Sequence, residues 1–333
     1  MAIEGVLKDR GFQIERRKAT RITLGSIIGI FLIILLIVFP DIIISGTSLA
    51  LVLSLISLGY ALVYGVGKVI NLSHGMFYFL AGYLVFAFTR YMGLALPLGI
   101  TLSLVIITGI GSISYLALIK PFQENEVMVL IATFALGYFI FNLVLLTENI
   151  VNLNVIPGLV ILDGFIPGYF ILFGVRFTYY RLFVMIMSVV VIIVVILFIR
   201  YSRFGKAVRA VSQDQDAAKL MGINLDGVLL FTVTLAAFLA GVAAFLYVPL
   251  EPMDMGTGWD ILLLSMSVVI LGGMGSIPGT VIGAFILSFS VRFCEAFLNP
   301  LVGFQISTVI HLIVIIIMLM IRPQGILGKK EKI

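Results

Sequence analysis

The sequence predicts an all-α, polytopic membrane protein of about eight to ten transmembrane helices, and three observations carry that expectation. Of its 333 residues, 62% are hydrophobic and 11% charged, whereas soluble domains run near half and a quarter. The apolar residues fall in runs close to the length that spans a bilayer. The lysines and arginines gather in a few of the segments between those runs. One soluble core cannot bury so much apolar surface, so lipid must solvate a large part of it.

A hydrocarbon core about 30 Å thick needs about 20 residues of helix. Runs that fit are 22–39, 48–65, 76–89, 96–119, 127–147, 182–199, 228–248, 261–271, 280–297 and 305–321. The runs 76–89 and 261–271 are short and predict helices that are tilted, broken or extended by polar neighbours. Pro40 and Asp41, rather than a small-residue cleavage site, follow the first run, which therefore reads as a retained span.

Basic residues set the orientation. The N-terminal segment carries Lys8, Arg10, Arg16, Arg17, Lys18 and Arg21, a middle loop Arg200, Arg203, Lys206, Arg209 and Lys219, and the tail Arg322, Lys329, Lys330 and Lys332. An even number of alternating spans places all three on the cytoplasmic side, with Lys68 and Lys120, and leaves Asp41, Glu148, Asp163, Glu251, Asp254 and Asp260 opposite. The net charge of +5 is thereby assigned to membrane orientation and not to nucleic acid. Of the two long loops, 148–181 contains the turn formers Pro157, Gly158, Pro167 and Gly168, and 200–226 is amphipathic. Neither leaves room for a soluble domain, so residues 1–333 are expected to form one transmembrane domain, with 1–21 and 322–333 cytoplasmic and both termini inside.

Enzyme signatures are missing from the sequence. There is no Walker A loop, since Gly67-Lys68 continues with Val69 and lacks the earlier glycine, and no zinc-protease, nucleophile-elbow or dinucleotide fingerprint. The chain is thus expected to carry no covalent chemistry and no cofactor. Cys294, the single cysteine, reads as a small buried apolar residue. His74 and His311 lie far apart with no metal-ligand spacing around them.

The middle loop is the most informative segment. Ser212 or Asp214 can cap a short helix with an acidic first turn, Gly222 can end it, and Ala217, Leu220 and Met221 give it an apolar face. Such a helix could lie on the membrane surface or seat in the groove of a soluble partner. Gly272, Gly273, Gly275, Pro278 and Gly279 either permit close helix packing, as do Gly279 with Gly283 and Gly25 with Gly29, or form a hinge or pathway element. Asn71, Ser73 and His74 lead into Gly75 at a span boundary, as an interface cap or as substrate contacts. The glycines Gly75 and Gly279 each open a span after a polar stretch, a likeness too short to establish a repeat. Arg292 and Glu295 can pair across one helical turn. His311 lies within the last span, as a helix-helix hydrogen bond or a pathway residue. Tyr247 and Trp259 fit an aromatic belt near the outer face.

At the middle loop a resemblance becomes specific. Asp216-Ala217-Ala218 followed by Gly222 resembles the Glu-Ala-Ala-x-x-x-Gly loop of ABC importer permeases, with Asp in place of Glu and without the downstream Ile-x-Leu-Pro. The flanks, Gly205-Lys206-Ala207-Val208-Arg209-Ala210 and Met221-Gly222-Ile223, resemble the high-affinity branched-chain amino acid permeases. So do the string Leu271-Gly272-Gly273-Met274-Gly275-Ser276-Ile277-Pro278-Gly279 and the tail Arg322-Pro323-Gln324-Gly325. Leu58-Gly59-Tyr60-Ala61-Leu62-Val63-Tyr64-Gly65 and Ile70-Asn71-Leu72-Ser73-His74-Gly75 are similar to the H-type of that family's two permease subunits. The resemblance runs from about residue 51 to 328.

The resemblance implies an ABC importer permease domain moving branched-chain amino acids, or related amino acids, amides or urea, by alternating access across the cytoplasmic membrane. Arg209, Asp214, Asp216, Ala217, Ala218 and Gly222 would form the ATPase-coupling loop. Asn71, Ser73, His74, Gly272, Gly273, Gly275 and Pro278 are the candidates for pathway or hinge. Partners would be a second, M-type permease subunit, two ATPase subunits that hold ATP and Mg²⁺, and an extracytoplasmic substrate-binding protein. Two other classes stay open on the residues alone: a secondary transporter or channel with broken-helix sites, and a membrane scaffold without flux.

Overall fold

A computed structural model describes residues 39–151, 165–303 and 307–328 of the chain. The first apolar run, the basic N-terminal segment, Pro157, Gly158 and the three tail lysines lie outside the described residues.

Every apolar run from residue 48 onward coincides with a helix. These are α1 (Pro40–Gly67), α2 (His74–Phe86, prolonged by a π turn Ala87–Tyr91), α3 (Leu96–Ser114, prolonged by Tyr115–Ile119 and Lys120–Phe122) and α4 (Glu126–Val151). A two-stranded antiparallel hairpin comes next, β1 (Tyr169–Leu172) and β2 (Val175–Thr178), then α5 (Tyr179–Tyr201). After it stand α6 (Arg203–Gln213), α7 (Gln215–Leu220), α8 (Leu225–Tyr247) and α9 (Thr257–Gly272). The order closes with α10 (Ile277–Phe293, with a π turn Cys294–Leu298), α11 (Asn299–Val302) and α12 (Ser307–Ile321). Among the described residues, 6 helical segments are long and apolar enough to cross a membrane, and α9 and Val309–Ile321 are shorter apolar helices. The protein is all-α and multi-pass.

Helix α1 begins earlier than its apolar run. Proline fits the first turn because it needs no amide partner there, and Asp41 in that turn complements the helix dipole. Asp41, expected in a loop, is therefore helical. The most apolar stretch of α1 is 94% buried, whereas those of α4 and α5 are 28% buried. So α1 is the axis of the bundle, and α4 and α5 face lipid. A helix wrapped by other helices needs small residues at its contacts. A Cβ on Gly59 would lie 2.9 Å from Ala236 Cα, and one on Gly65 would lie 3.2 Å from Gly275 Cα. These pairs, with Gly67 beside Leu229 and Gly46 beside Phe289, set α8 and α10 antiparallel to α1.

Helix α2 does not start where α1 ends. The imidazole of His74, the first residue of α2, lies 2.9 Å from the carbonyl of Ile56, which is about 16 Å back along α1 from Gly67 at 1.5 Å per residue. The amide of Leu72 donates to Thr133 Oγ1 (3.1 Å), within α4. Residues 68–73 thus turn back into the bundle, starting from Lys68 in a left-handed conformation (φ 55°), and α2 begins inside it. Helix α9 does the same from the other side. A Cβ on Gly75 would strike the Gly258 carbonyl and lie 2.7 Å from Leu262, while one on Gly258 would meet Met76 and Phe79. The first turns of α2 and α9 therefore overlap and run in opposite directions.

Helices α1–α4 and α8, α9, α10 and α12 thus form two similar series. Each has a long helix, a re-entrant or irregular link, a shorter helix starting inside the bundle, and two further helices, and α8 and α9 run opposite to α1 and α2. Gly75 packs against Gly258 and not against Gly279. The basic end of the bundle holds Lys68, Lys120, Arg200, Arg203, Lys206, Arg209, Lys219 and Arg322 with Glu124, Glu126, Asp214, Asp216 and Asp226. The opposite end holds Asp41, Glu251, Asp254 and Glu295 with Arg90, Arg176, Arg181 and Arg292, whereas Asp260, expected with them, stands in the first turn of α9 where that helix overlaps α2.

The α1–α8 contact gives a stability prediction. Gly59→Val should lower unfolding free energy by about 1–3 kcal/mol through overpacking. Gly109→Ala, where nothing lies within 4 Å, should be neutral or slightly stabilising. Thermal unfolding of both variants in one detergent checks this, and equal effects would contradict the close approach.

Candidate functional site

Three groups of residues carry the candidate function, and the first is the α6–α7 elbow at the basic end. Ser202 ends α5 and caps α6, its Oγ accepting from the Gly205 amide (2.8 Å). Gly205 packs so closely on the Ile199 backbone that a Cβ would overlap it. Arg209 reaches back to donate to the carbonyls of Ile199 (2.5 Å) and Arg200 (2.8 Å). These are last-turn carbonyls of α5, which have no helical partner of their own. Asp214 is the N-cap of α7, accepting from the Ala217 amide (3.0 Å). Of the two caps the sequence allowed, Asp214 is used, and Ser212 instead sits in the last turn of α6, bonded to the Arg209 carbonyl. Gly222 closes the segment with φ 80°, a conformation glycine adopts without steric cost.

Ala218 is the buried residue of α7. Asp216 and Ala217 are exposed, Leu220 is 91% exposed and Met221 69% exposed. The apolar face expected of Ala217, Leu220 and Met221 is present, and it points away from the bundle. One residue was not foreseen: Gln215, whose side-chain amide donates to the Val66 carbonyl at the end of α1 (2.7 Å).

The second group lies at the start of α2. Asn71 Oδ1 accepts from the amide (3.0 Å) and hydroxyl (2.6 Å) of Ser73. His74 is 1% exposed and Asn71 2% exposed. The Ile56 carbonyl can only accept, so Nε2 of His74 carries the hydrogen between them. The Tyr60 ring meets the His74 ring edge-on at 5.5 Å, and the hydroxyls of Tyr60 and Ser57 have no hydrogen-bond partner among the described residues. This corrects the placement at a span boundary: Asn71–Ser73–His74 is a buried polar node inside the bundle. Hydropathy finds a polar break between apolar runs but not its depth. Trp259 is also displaced from its expected belt. It packs on Phe134 at 5.4 Å and near Gly137, beside the node.

The third group is the glycine string. Gly272 and Gly279 touch backbone to backbone, and a Cβ on Gly283 would lie 2.7 Å from the Val268 carbonyl. Gly273 and Gly275 have φ of 102° and 81°. The tail folds onto them: Ile326 and Leu327 amides donate to the Leu271 (2.9 Å) and Gly272 (3.0 Å) carbonyls, and Gly325 abuts Gly273. Ser276 caps α10, and Pro278 stands in its first turn. These are close backbone contacts of the kind small residues permit. They join α9, α10, the tail and the basic end of α1.

At the opposite end, Arg292 does pair with Glu295 (2.6 Å), but as part of a larger cluster. It also donates to Tyr247 Oη (2.6 Å) and to the Glu251 carboxylate. Tyr247 is thus a buried hydrogen-bonding residue, not a belt residue. Cys294 is buried, as expected. His311 is 3% exposed, and its Nε2 has no partner among the described residues. No group of His, Cys, Asp and Glu among the described residues could hold a metal.

A guanidinium shared by two carboxylates and largely shielded costs more to break than to replace. Arg292→Leu alone should therefore cost about 1–3 kcal/mol, and the triple variant with Glu251→Gln and Glu295→Gln should be more stable than the single one. Denaturation of both in detergent tests this, and additive losses would contradict the cluster.

A family model described as branched-chain amino acid transport system / permease component matches residues 42–322. The permease protein BraD of the high-affinity branched-chain amino acid transport system of Pseudomonas aeruginosa is 30% identical over 86% of this chain and 95% of its own length. The corresponding LivH of Escherichia coli is 30% identical over 86% of this chain and 94% of its own. A probable branched-chain amino acid transport permease protein LivH of Methanocaldococcus jannaschii is 29% identical over 83% and 88%.

Proposed function

Because the chain belongs to the family of branched-chain amino acid transport permease components, we propose that it is the membrane-spanning subunit of an ATP-driven importer for branched-chain amino acids. The observation that carries this reading is α7. A helix capped by Asp214 and closed by Gly222 holds Leu220 and Met221 out of the bundle, at the end where basic residues gather. An exposed apolar face on a rigid, well-capped helix suits a groove in a soluble partner. In this reading the partner is an ATPase chain, one of two, and the basic end is cytoplasmic with both termini. A second permease subunit and an extracytoplasmic binding protein complete the importer, with segment 148–181 as the binding protein's contact.

The mechanism is alternating access. Closure of the ATPase dimer displaces α7, and ATP drives transport only if it favours one permease conformation over the other. The elements proposed to rearrange are Asn71, Ser73 and His74 at the start of α2 and the backbone contacts of Gly272, Gly273, Gly275 and Pro278. The chain itself carries no ATP, which with Mg²⁺ belongs to the partners. A second reading, a secondary transporter, draws on the two helices that start inside the bundle. It requires flux without nucleotide.

The test is uptake of labelled leucine by proteoliposomes holding the chain with its co-purified partners. ATP-dependent uptake that needs the binding protein is expected, and ATP-independent uptake would favour the secondary transporter. Hydrolysis without leucine uptake would retain the ATP-driven class and move the substrate to other amino acids, amides or urea. In the same system, Ala217→Trp or Gly222→Val should lower uptake about tenfold or more while the permease stays folded. Normal coupling in both variants would remove the docking role of α7.

A further inference from the structure

Two polar anchors hold the α6–α7 elbow to the bundle, and they differ in what they reach. Arg209 bonds the end of α5, a helix whose apolar stretch is 28% buried. Displacement there is met mainly by lipid. Gln215 bonds the Val66 carbonyl at the end of α1, whose apolar stretch is 94% buried. Among the described residues it makes the one side-chain hydrogen bond from α7 into the bundle. Apolar contact reinforces it, since Ala218 belongs to the same buried cluster as Val66, Val69 and Leu229.

The path of the chain beyond Val66 gives this contact its reach. The chain leaves α1 at Lys68 with φ 55° and turns back through residues 68–73 to the node where Asn71, Ser73 and His74 are bonded. The seven Cα–Cα steps from Gly67 to His74 could span at most about 25 Å when extended, against at most roughly 16 Å between Gly67 and the depth of Ile56 along α1, and the link includes a turn at Leu72 and Ser73. The link is short and is bonded at its far end. A shift of the α1 end is therefore passed to the node or appears in α1 as a whole. The node in turn supports the first turn of α2, which overlaps that of α9 at Gly75 and Gly258.

We propose that Gln215 is the positioning residue through which displacement of α7 enters the core, by way of the Val66 carbonyl and the short segment 68–73. This rests on the docking role of α7. It adds that docking alone is insufficient, and that one donated hydrogen bond converts it into movement at the start of α2. The bond suits the task because the Val66 carbonyl belongs to the last turn of α1 and so lacks a helical amide partner. The side-chain amide of Gln215 supplies one, and no other side chain of α7 competes for it among the described residues.

The experiment uses the full complex in proteoliposomes, with labelled leucine as probe, and records leucine moved per ATP hydrolysed together with the melting temperature. Gln215→Met keeps the length and removes the donor. Gln215→Lys keeps a donor of similar reach, and Gln215→Glu offers only acceptors to the carbonyl. The expected result is that Gln215→Met lowers leucine moved per ATP about tenfold, with hydrolysis falling less than uptake. Gln215→Glu should be at least as impaired, Gln215→Lys should recover most of the ratio, and the melting temperatures should stay close together. A merely structural role would instead lower the melting temperature and reduce uptake and hydrolysis in step. That outcome, or an unchanged ratio in Gln215→Met, overturns the inference while wild-type coupling stands. Wild-type complex that takes up leucine equally well without ATP would overturn the docking role and this inference with it.

Discussion

Backbone touching backbone along α1 is the contact on which the remaining architecture depends. Gly59 against Ala236 of α8 and Gly65 against Gly275, just before α10, bring backbones closer than a side chain ordinarily allows. In lipid there is little hydrophobic drive between helices, so dispersion at close approach must hold them. With α1 enclosed on those sides, Val66 is buried and Gly67 packs on Leu229, while Lys68 beyond them is exposed. The next helix starts inside the bundle, where residues 68–73 bring the chain back.

A chain that re-enters an apolar bundle must satisfy its backbone there. Asn71 does so for Ser73, Thr133 for Leu72, and the Ile56 carbonyl receives His74. The satisfaction is incomplete, because Tyr60 and Ser57 retain unpartnered hydroxyls beside it. A partly satisfied buried network leaves polar atoms that bear a desolvation cost. The glycine string contrasts with it. There the tail amides of Ile326 and Leu327 complete the carbonyls at the end of α9, so the base of the bundle is closed.

Much of this could be read from the sequence, for reasons that separate into two kinds. Apolar run length located each of the long apolar helices from α1 onward, and capping chemistry located α7, because Asp214 and Gly222 act on their immediate neighbours. Depth was not legible. Asn71 to His74 look like a surface break because hydropathy registers polarity and not direction, and Trp259 was sent to the interface by the same logic. The Arg292 cluster was half visible. Glu295 is one turn away, whereas Tyr247 and Glu251 approach from a different helix and its following loop. Gln215 carried no signal, since its partner is a main-chain carbonyl distant in sequence.

The enclosure of α1 also bears on how the molecule is made. Helix α1 is synthesised before α8 and α10, so it must wait in lipid for the neighbours that later surround it. Two of its hydroxyls are suited to that wait: Ser48 donates to the Ile44 carbonyl and Ser54 to the Ala50 carbonyl, satisfied within the helix itself. The axis of the finished bundle is thus also a segment able to reside alone in a bilayer, and the late C-terminal half is assembled around a helix already in place.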